Sequence, residues 1–193
     1  CVKGYGQRDY RKLAARLETA LQQPIAVEFS DDLVETLALA SPGQEVIVVG
    51  EQSLVRQSAK RAALPCHPVC ELTDPDGNTT VTGSFVVQTR DPAKELKDIA
   101  GRKVLFGLAD TAENHAAAQA TLRAAGVESA APEKRPAYSD AAIDVLDSQA
   151  APHPVAVIPS YAVRLLEGCG SITVGDLRVI GKTQPLSFIT VFV

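Results

Sequence analysis

Apolar and polar positions along this chain follow two alternating periods. Short unbroken apolar runs, such as 45–50 and 155–158, are typical of strands buried on both faces. Stripes at helical spacing, such as Tyr10, Leu13 and Leu17, predict amphipathic helices between those runs. The predicted strands are Val2–Gly6, Ile25–Phe29, Glu45–Gly50, Thr79–Thr89, Lys103–Gly107, Val155–Ile158, Leu177–Ile180 and Phe188–Val193. The predicted helices are Gln7–Leu21, a helix capped by 30–32 and ending at Ala40, Glu51–Ala63, Ala93–Ile99, Thr111–Ala125, Ser139–Ser148 and Tyr161–Glu167.

This alternation of strands and helices predicts an α/β fold. Strands separated by helices form largely parallel sheets with helices on their faces. The longer segment Thr79–Thr89 interrupts the alternation, and we expect it to cross between two such units. The sequence therefore predicts a first lobe from residues 1–83 plus 186–193 and a second lobe from residues 84–185.

Composition and charge narrow the function classes. Apolar residues make up 46% of the chain and charged residues 22%, which is typical of a soluble folded protein. The net charge is -4, aromatic residues are 5% and Trp is absent, so neither the basic footprint nor the stacking platform of a nucleic-acid-binding protein is evident. No apolar run is long enough to span a membrane, and no signal sequence is present in the chain. The start at Cys1 predicts a processed N-terminus, with a lipid-bearing cysteine as the less favoured interpretation.

The four cysteines, Cys1, Cys66, Cys70 and Cys169, leave their pairing open. Cys66 and Cys70 enclose His67 in the run C-H-P-V-C, which suggests a metal site formed by these three residues. The spacing is weak for zinc, because no second ligand pair follows at the usual distance. A disulfide or buried free thiols are therefore favoured over a metal ion.

Five segments, taken in chain order, resemble the phosphate/phosphonate-type periplasmic solute-binding proteins of ABC importers. The segment 91–107 (DPAKELKDIAGRKVLFG) resembles the start of that family's second lobe, and the others are 7–13, 138–142, 156–162 and 175–180. The resemblance implies a type 2 periplasmic-binding-protein fold, in which two α/β lobes are joined by two crossing strands. It also implies a periplasmic or extracytoplasmic protein that holds a small ligand without transforming it and presents it to an ABC permease.

The ligand of such a fold is expected at the turns that follow the carboxyl ends of the strands. Helix N-termini at these turns offer unpaired N–H groups and a partial positive charge. Together with the resemblance, this gives as candidate ligand-binding residues Tyr5, Gln7, Ser30, Asp31, Glu51, Gln52, Ser53, Thr82, Asp110, Thr111, Ala112, Glu113, Tyr138, Ser139, Ser160 and Tyr161.

The charges in these turns predict a ligand other than a phosphonate. Where the family carries a hydroxyl-rich turn after the second lobe's first strand, this chain has Asp110 and Glu113, and only Thr111 keeps a hydroxyl. We therefore expect a neutral or cationic ligand: an amine, a polar metabolite or a metal ion bound by Glu51, Asp110, Glu113 and His115. The alternative interpretation of these residues is an ordinary acidic first turn of a helix.

The chain carries none of the common catalytic motifs, such as a nucleophile elbow, a Walker loop or an H-E-x-x-H helix. A non-enzymatic binding protein is therefore expected. The alternative is a ligand-sensing module, or a carrier of a metal or cofactor, that has the same fold and no transporter.

Overall fold

The computed structural model describes residues 10–30, 32–38, 43–74, 77–107, 115–128, 133–149 and 151–193. The helices are α1 (Arg11–Leu21), α2 (Leu33–Ala38), α3 (Gln52–Ala62), α4 (Ala116–Ala124), α5 (Tyr138–Asp147) and α6 (Ala162–Gly168), with a 3₁₀ turn at Leu96–Ile99. The strands are β1 (Val48–Glu51), β2 (Pro68–Glu71), β3 (Thr80–Val81), β4 (Gly83–Gln88), β5 (Val104–Phe106), β6 (Glu133–Lys134), β7 (Val155–Pro159), β8 (Leu177–Lys182), β9 (Leu186–Ser187) and β10 (Ile189–Phe192). Most predicted elements are present; many are shorter than predicted, whereas β7 and β8 extend beyond their predicted ends.

The larger sheet has the strand order β6-β5-β7-β4-β8. Strand β5 is parallel to β6 and β7, whereas β4 is antiparallel to both of its neighbours, β7 and β8. It follows that β5, β6, β7 and β8 run in one direction and β4 runs against them. The expectation of a mostly parallel sheet is met, but it did not include the antiparallel strand at β4.

The smaller sheet has the order β1-β10-β2, and unlike the larger sheet it has no parallel hydrogen-bonded pair among its described strands. Strand β10 is antiparallel to both β1 and β2, so those two strands are parallel to each other. Between the two sheets, β3 pairs with β9 in an antiparallel two-stranded ladder. The chain thus passes from one sheet to the other along β3 and returns along β9, and each crossing delivers the antiparallel strand of the sheet it enters. The exact lobe boundaries given above stay a prediction.

The core of the larger sheet lies on both of its faces. Phe85, Val104 and Phe106 pack on one side against residues of α4, while Val86, Leu105 and Ala156 pack on the other side against α5 and α6. Residues of these strands alternate between the two clusters, as the pleat requires. Burial on both faces is the reason that β4, β5 and β7 are continuous apolar runs in the sequence.

The first lobe departs from the sequence prediction at several points. The predicted strand at Ile25–Phe29 is wrong, because none of these residues joins a sheet and Phe29 is 47% exposed. Its apolar alternation suits a strand, but a strand also needs a neighbour that completes its hydrogen bonds. Conversely, β2 and β9 were not predicted, because each is short and β2 begins at a proline; the short strand β6 of the larger sheet was missed as well. The predicted strand Val2–Gly6 lies outside the described residues.

Gln88, the last residue of β4, fixes the end of α5 and carries a testable prediction. Its amide Nε2 donates to the carbonyls of Val145 at 2.6 Å, Leu146 at 3.2 Å and Ser148 at 3.3 Å, and its side chain is buried. Replacing Gln88 by methionine removes the donor at similar volume and leaves helix-end carbonyls buried. We expect the free energy of unfolding to fall by about 1–3 kcal/mol. Chemical denaturation measures it, and an unchanged value would show that water replaces the amide.

Candidate ligand-binding cleft

The directions of the strands decide where helices α5, α6 and α3 begin. Because β5, β6 and β7 are parallel, their carboxyl ends meet at one edge of the larger sheet. There, β6 leads through residues 135–137 into α5, whose first residue is Tyr138, and β7 leads through Ser160 and Tyr161 into α6. In the first lobe, β1 ends at Glu51 and α3 begins directly at Gln52. Ligands of open α/β sheets bind at the edge formed by the carboxyl ends of the parallel strands.

An aromatic row made of Tyr138, Tyr161 and Phe188 runs along this edge. The rings of Tyr138 and Tyr161 meet edge to face, with centroids 6.2 Å apart. Phe188 lies 5.2 Å from Tyr161 in a tilted arrangement. All three side chains are half-buried. Phe188 joins β9 to β10, and its carbonyl accepts a hydrogen bond of 3.3 Å from the backbone N–H of Gln52, so the row reaches the start of α3.

Sequence reasoning placed Tyr138 and Tyr161 at the site but missed Phe188. The pattern assigned Phe188 to the last strand, where an apolar residue is expected to serve the core. Phe188 lies close to Tyr161 because of the path that the chain takes after β9. Hydrophobic periodicity gives no information about this path.

Gly107 allows the close approach of α5 to the end of β5. A Cβ atom at this position would lie 3.2 Å from the backbone nitrogen of Tyr138 and 3.3 Å from its Cα. These are backbone atoms, so a side chain here would have to displace the N-terminus of α5. Gly107 therefore sets the position of Tyr138, and the sequence had marked it only as the end of a strand.

The hydroxyl groups of the site lie beside the aromatic row. The backbone N–H of Ser160 donates to the carbonyl of Thr82 at 2.8 Å, and the Ser160 hydroxyl accepts from the Thr82 N–H at 3.4 Å, so these two predicted residues are brought together. Ser139 is half-buried in the first turn of α5. Burial raises the pKa of the Tyr138 hydroxyl above its ordinary value, so this phenol remains a neutral donor at physiological pH.

The charged groups at this edge are largely compensated. The guanidinium of Arg135, just before α5, donates to the Asp144 carboxylate and, at 3.1 Å, to the Glu133 carboxylate. The hydrogen bond to Asp144 is the main reason that the pKa of Arg135 is raised. Glu133 is also paired with Lys103, and this contact is the main reason that its pKa is lowered. Arg135 therefore already has two carboxylate partners and is not a free positive charge for an anionic ligand.

The remaining predicted site residues fall into three groups. Glu51, Gln52 and Ser53 lie half-buried at the junction of β1 and α3, next to Phe188. Ser30 is exposed and accepts a hydrogen bond from the hydroxyl of Thr36 in α2, with no described contact to the aromatic row. Outside the described residues lie Tyr5, Gln7, Asp31, Asp110, Thr111, Ala112 and Glu113.

The suggested metal site at Cys66, His67 and Cys70 stays a prediction. Within the part of the chain that the structure describes, no three His, Cys, Asp or Glu side chains are grouped so that they could hold a metal ion. Cys70 lies in β2 and pairs with Val191, while the N–H and C=O of His67 pair with Val193. Extended backbone separates the side chains along the strand. The two thiols are free, with Cys66 half-buried and Cys70 exposed, whereas Cys169 is disulfide-bonded.

His115, suggested above as a cation ligand, is half-buried just before α4. Its ring packs edge to face against Phe106, with centroids 5.1 Å apart, and its Nε2 atom lies 3.5 Å from Gln119 Nε2. The ring contact joins His115 to the core at the end of β5.

Comparison with solved structures assigns the fold to the type 2 periplasmic binding proteins. The phosphonate-transporter binding protein PA3383 of Pseudomonas aeruginosa matches with a TM-score of 0.69 at 11% identity, over 95% of this chain and 62% of its own. XAC2383 of Xanthomonas citri, bound to ATP, matches with a TM-score of 0.68 at 13% identity, over 94% of this chain and 69% of its own. PhnD1 of Prochlorococcus marinus, in complex with methylphosphonate, matches with a TM-score of 0.65 at 14% identity, over 95% of this chain and 69% of its own.

The family follows from the sequence itself. A family model described as "ABC transporter, phosphonate, periplasmic substrate-binding protein" matches residues 6–193, and the chain belongs to this family. The resemblance inferred from the five segments is thereby confirmed. The search of curated proteins finds no match. Among the described helices, none is both long and apolar enough to cross a membrane.

Proposed function

We propose that this chain binds a small solute between its two lobes, without transforming it, and presents the solute to an ABC permease. The observation that carries the proposal is the aromatic row, which extends from α5 of the second lobe to the return crossing and the start of α3. A solute held against this row would touch both lobes and the segment that joins them. Membership in a family of periplasmic substrate-binding proteins supports the transport role and the absence of turnover.

The ligand proposed from the charges is neutral or cationic rather than a phosphonate dianion. Support comes from Arg135, whose guanidinium is already bound by Asp144 and Glu133, and from the half-buried carboxylate of Glu51. The contribution of Asp110 and Glu113 stays a prediction. Similar folds hold ligands as different as methylphosphonate and ATP, so the fold alone does not fix the ligand.

We propose that this chain acts in the periplasm, because its family is described as periplasmic. Lipid attachment through Cys1 stays a prediction, since Cys1 lies outside the described residues. Nothing in the described part of the chain supports the alternative of a sensor or metal carrier, since no three His, Cys, Asp or Glu side chains there are grouped so that they could hold a metal ion.

Calorimetric titration combined with small-angle X-ray scattering tests the binding proposal. A panel of small solutes should include methylphosphonate, amines and quaternary ammonium compounds. For a true ligand, we expect measurable heat together with a smaller radius of gyration, because lobe closure compacts the molecule. Heat without compaction would argue against binding between the lobes. The chemical conversion of any bound solute would contradict the non-catalytic role.

Gly107→Ala tests whether the position of α5 matters for binding. The new Cβ would meet the backbone of Tyr138 at 3.2 Å, so we expect a several-fold loss of affinity for whichever solute binds. The matched control is Gly168→Ala at the end of α6, where nothing lies within 4 Å of the new Cβ and affinity should not change. If Gly107→Ala and Gly168→Ala bound the solute with equal affinity, Tyr138 would not belong to the binding site.

A further inference from the structure

We propose that the aromatic row binds an alkylated ammonium group, so that the solute is a small organic cation. This inference rests on the proposed function and names the substrate class of the same site. The aromatic row combines two phenol rings and one phenyl ring, with the central ring of Tyr161 in contact with Tyr138 at 6.2 Å and with Phe188 at 5.2 Å between centroids. Aromatic faces carry negative charge density and attract a cation that lies within about 6 Å of the ring centroid.

The geometry of the rings suits such a group. Tyr138 and Tyr161 are nearly perpendicular at 84°, so the two rings present surfaces in different directions. Phe188 is inclined by 34° to Tyr161 and extends the same wall. The three residues are half-buried, so neighbouring elements hold them in place while each keeps some exposed surface. An alkylated ammonium group loses little hydration there and gains both cation–π attraction and apolar contact.

The charges around the row favour a cation over an anion. Glu51 ends β1 and directly precedes Gln52, whose backbone N–H donates to the Phe188 carbonyl, so an acidic residue adjoins this end of the row in the chain. At the other end, the nearby Arg135 is bound by Asp144 and Glu133. The guanidinium of Arg135 is therefore already paired and would give a negative ligand little, whereas a positive ligand would gain from the three aromatic rings.

An uncharged apolar group would also pack on aromatic rings, so charge is the property to test. Choline and 3,3-dimethyl-1-butanol have nearly the same shape and hydroxyl group, but the first has a quaternary nitrogen where the second has a carbon atom. We expect choline to bind at least about tenfold more tightly than 3,3-dimethyl-1-butanol in a calorimetric titration of the full chain. Tetramethylammonium should bind as well, because it retains the cationic group alone.

Substitutions at Tyr161 test whether choline binds at the aromatic row. Tyr161→Phe keeps an aromatic face and should retain most of the affinity for choline, whereas Tyr161→Leu removes the face and should weaken choline binding about tenfold or more. The matched control is Tyr10→Leu on α1, where the ring of Tyr10 packs only against Phe29 in the described contacts. This control should bind choline as tightly as the unaltered chain does.

The outcomes separate the inference from the proposed function. Equal binding of choline and its neutral isostere, or equal losses in Tyr161→Phe and Tyr161→Leu, overturns the ammonium proposal. If methylphosphonate binds with lobe closure and no ammonium compound does, the inference is wrong while the binding function stands. If no solute of the panel binds, both are rejected. If choline binds much more tightly than its neutral isostere, and only Tyr161→Leu loses this binding, the ligand class is that of alkylated ammonium compounds.

Discussion

Replacing Asp91 by asparagine is expected to lower the free energy of unfolding by about 3–5 kcal/mol. Asp91 accepts two hydrogen bonds from the Arg102 guanidinium, at 3.0 Å and 2.6 Å, and both residues are buried. The Arg102 Nε atom also donates to the carbonyl of His153 at 2.8 Å, so this pair joins the loop after β4 to the loop before β7. Asparagine would leave the buried guanidinium without its counter-charge.

Chemical denaturation at neutral pH measures this loss. Asp147→Asn, at the exposed end of α5, is the matched control and should change the stability by no more than about 0.5 kcal/mol. If both variants were equally stable, water would have to compensate Arg102, and the proposed joining of the two loops would fail.

The same pair predicts how stability depends on pH. The hydrogen bond from Arg102 is the main cause that lowers the pKa of Asp91 below its ordinary value of 3.8. The carboxylate is therefore favoured in the folded state, and its contribution is fully present above the unfolded-state pKa. That contribution is lost as the pH falls through the lower, folded-state pKa. The difference in stability between the unaltered chain and Asp91→Asn should thus narrow in strongly acidic solution, which denaturation at several pH values can follow.

Truncating Phe106 to alanine is expected to cost about 3–5 kcal/mol of stability as well. Phe106 has no exposed surface at the end of β5, and its ring packs against His115 and against the core cluster that includes Leu122 and Val157. The cavity left by the ring adds to the loss of apolar burial, because surrounding side chains relax only in part. Thermal or chemical unfolding gives the measurement.

Phe29→Ala is the control for this prediction, because the same side chain is 47% exposed there. We expect it to cost no more than about 1 kcal/mol. A loss of stability at position 29 equal to that at position 106 would mean that burial in the larger sheet is not what stabilises this fold.

The larger sheet was the most predictable part of the molecule. Val155–Ile158 and Lys103–Gly107 were recognised because both faces of these strands are buried, which produces unbroken apolar runs. The first lobe was less predictable. Ile25–Phe29 has the composition of a strand and forms none, whereas Pro68–Glu71 forms an edge strand despite its proline and full exposure. Composition reports what a segment can form, but a neighbouring strand decides whether the ladder exists.

The candidate site, too, could be predicted from the sequence only in part. Ser160 and Tyr161 were predicted because they follow the predicted strand that became β7, and the strand-end rule can be applied to the sequence. Tyr138 and Ser139 were predicted from the family resemblance and the start of a helix, since β6 was not predicted. Phe188 could not be found in this way, since it joins the site through the return crossing. The compensation of Arg135 was equally hidden, because Asp144 lies more than two helical turns along the chain.

The sequence by itself determined the alternation of strands and helices, the crossing near residue 80 and membership in the family, because each is recorded in local patterns of burial and turn residues. Only the tertiary structure decided that β4 and β10 run against their neighbours, that Phe188 completes the aromatic row, and that Cys66 and Cys70 remain free. The physical reason is that periodicity reports which side of an element is buried. Which distant residues meet there depends on the path of the whole chain.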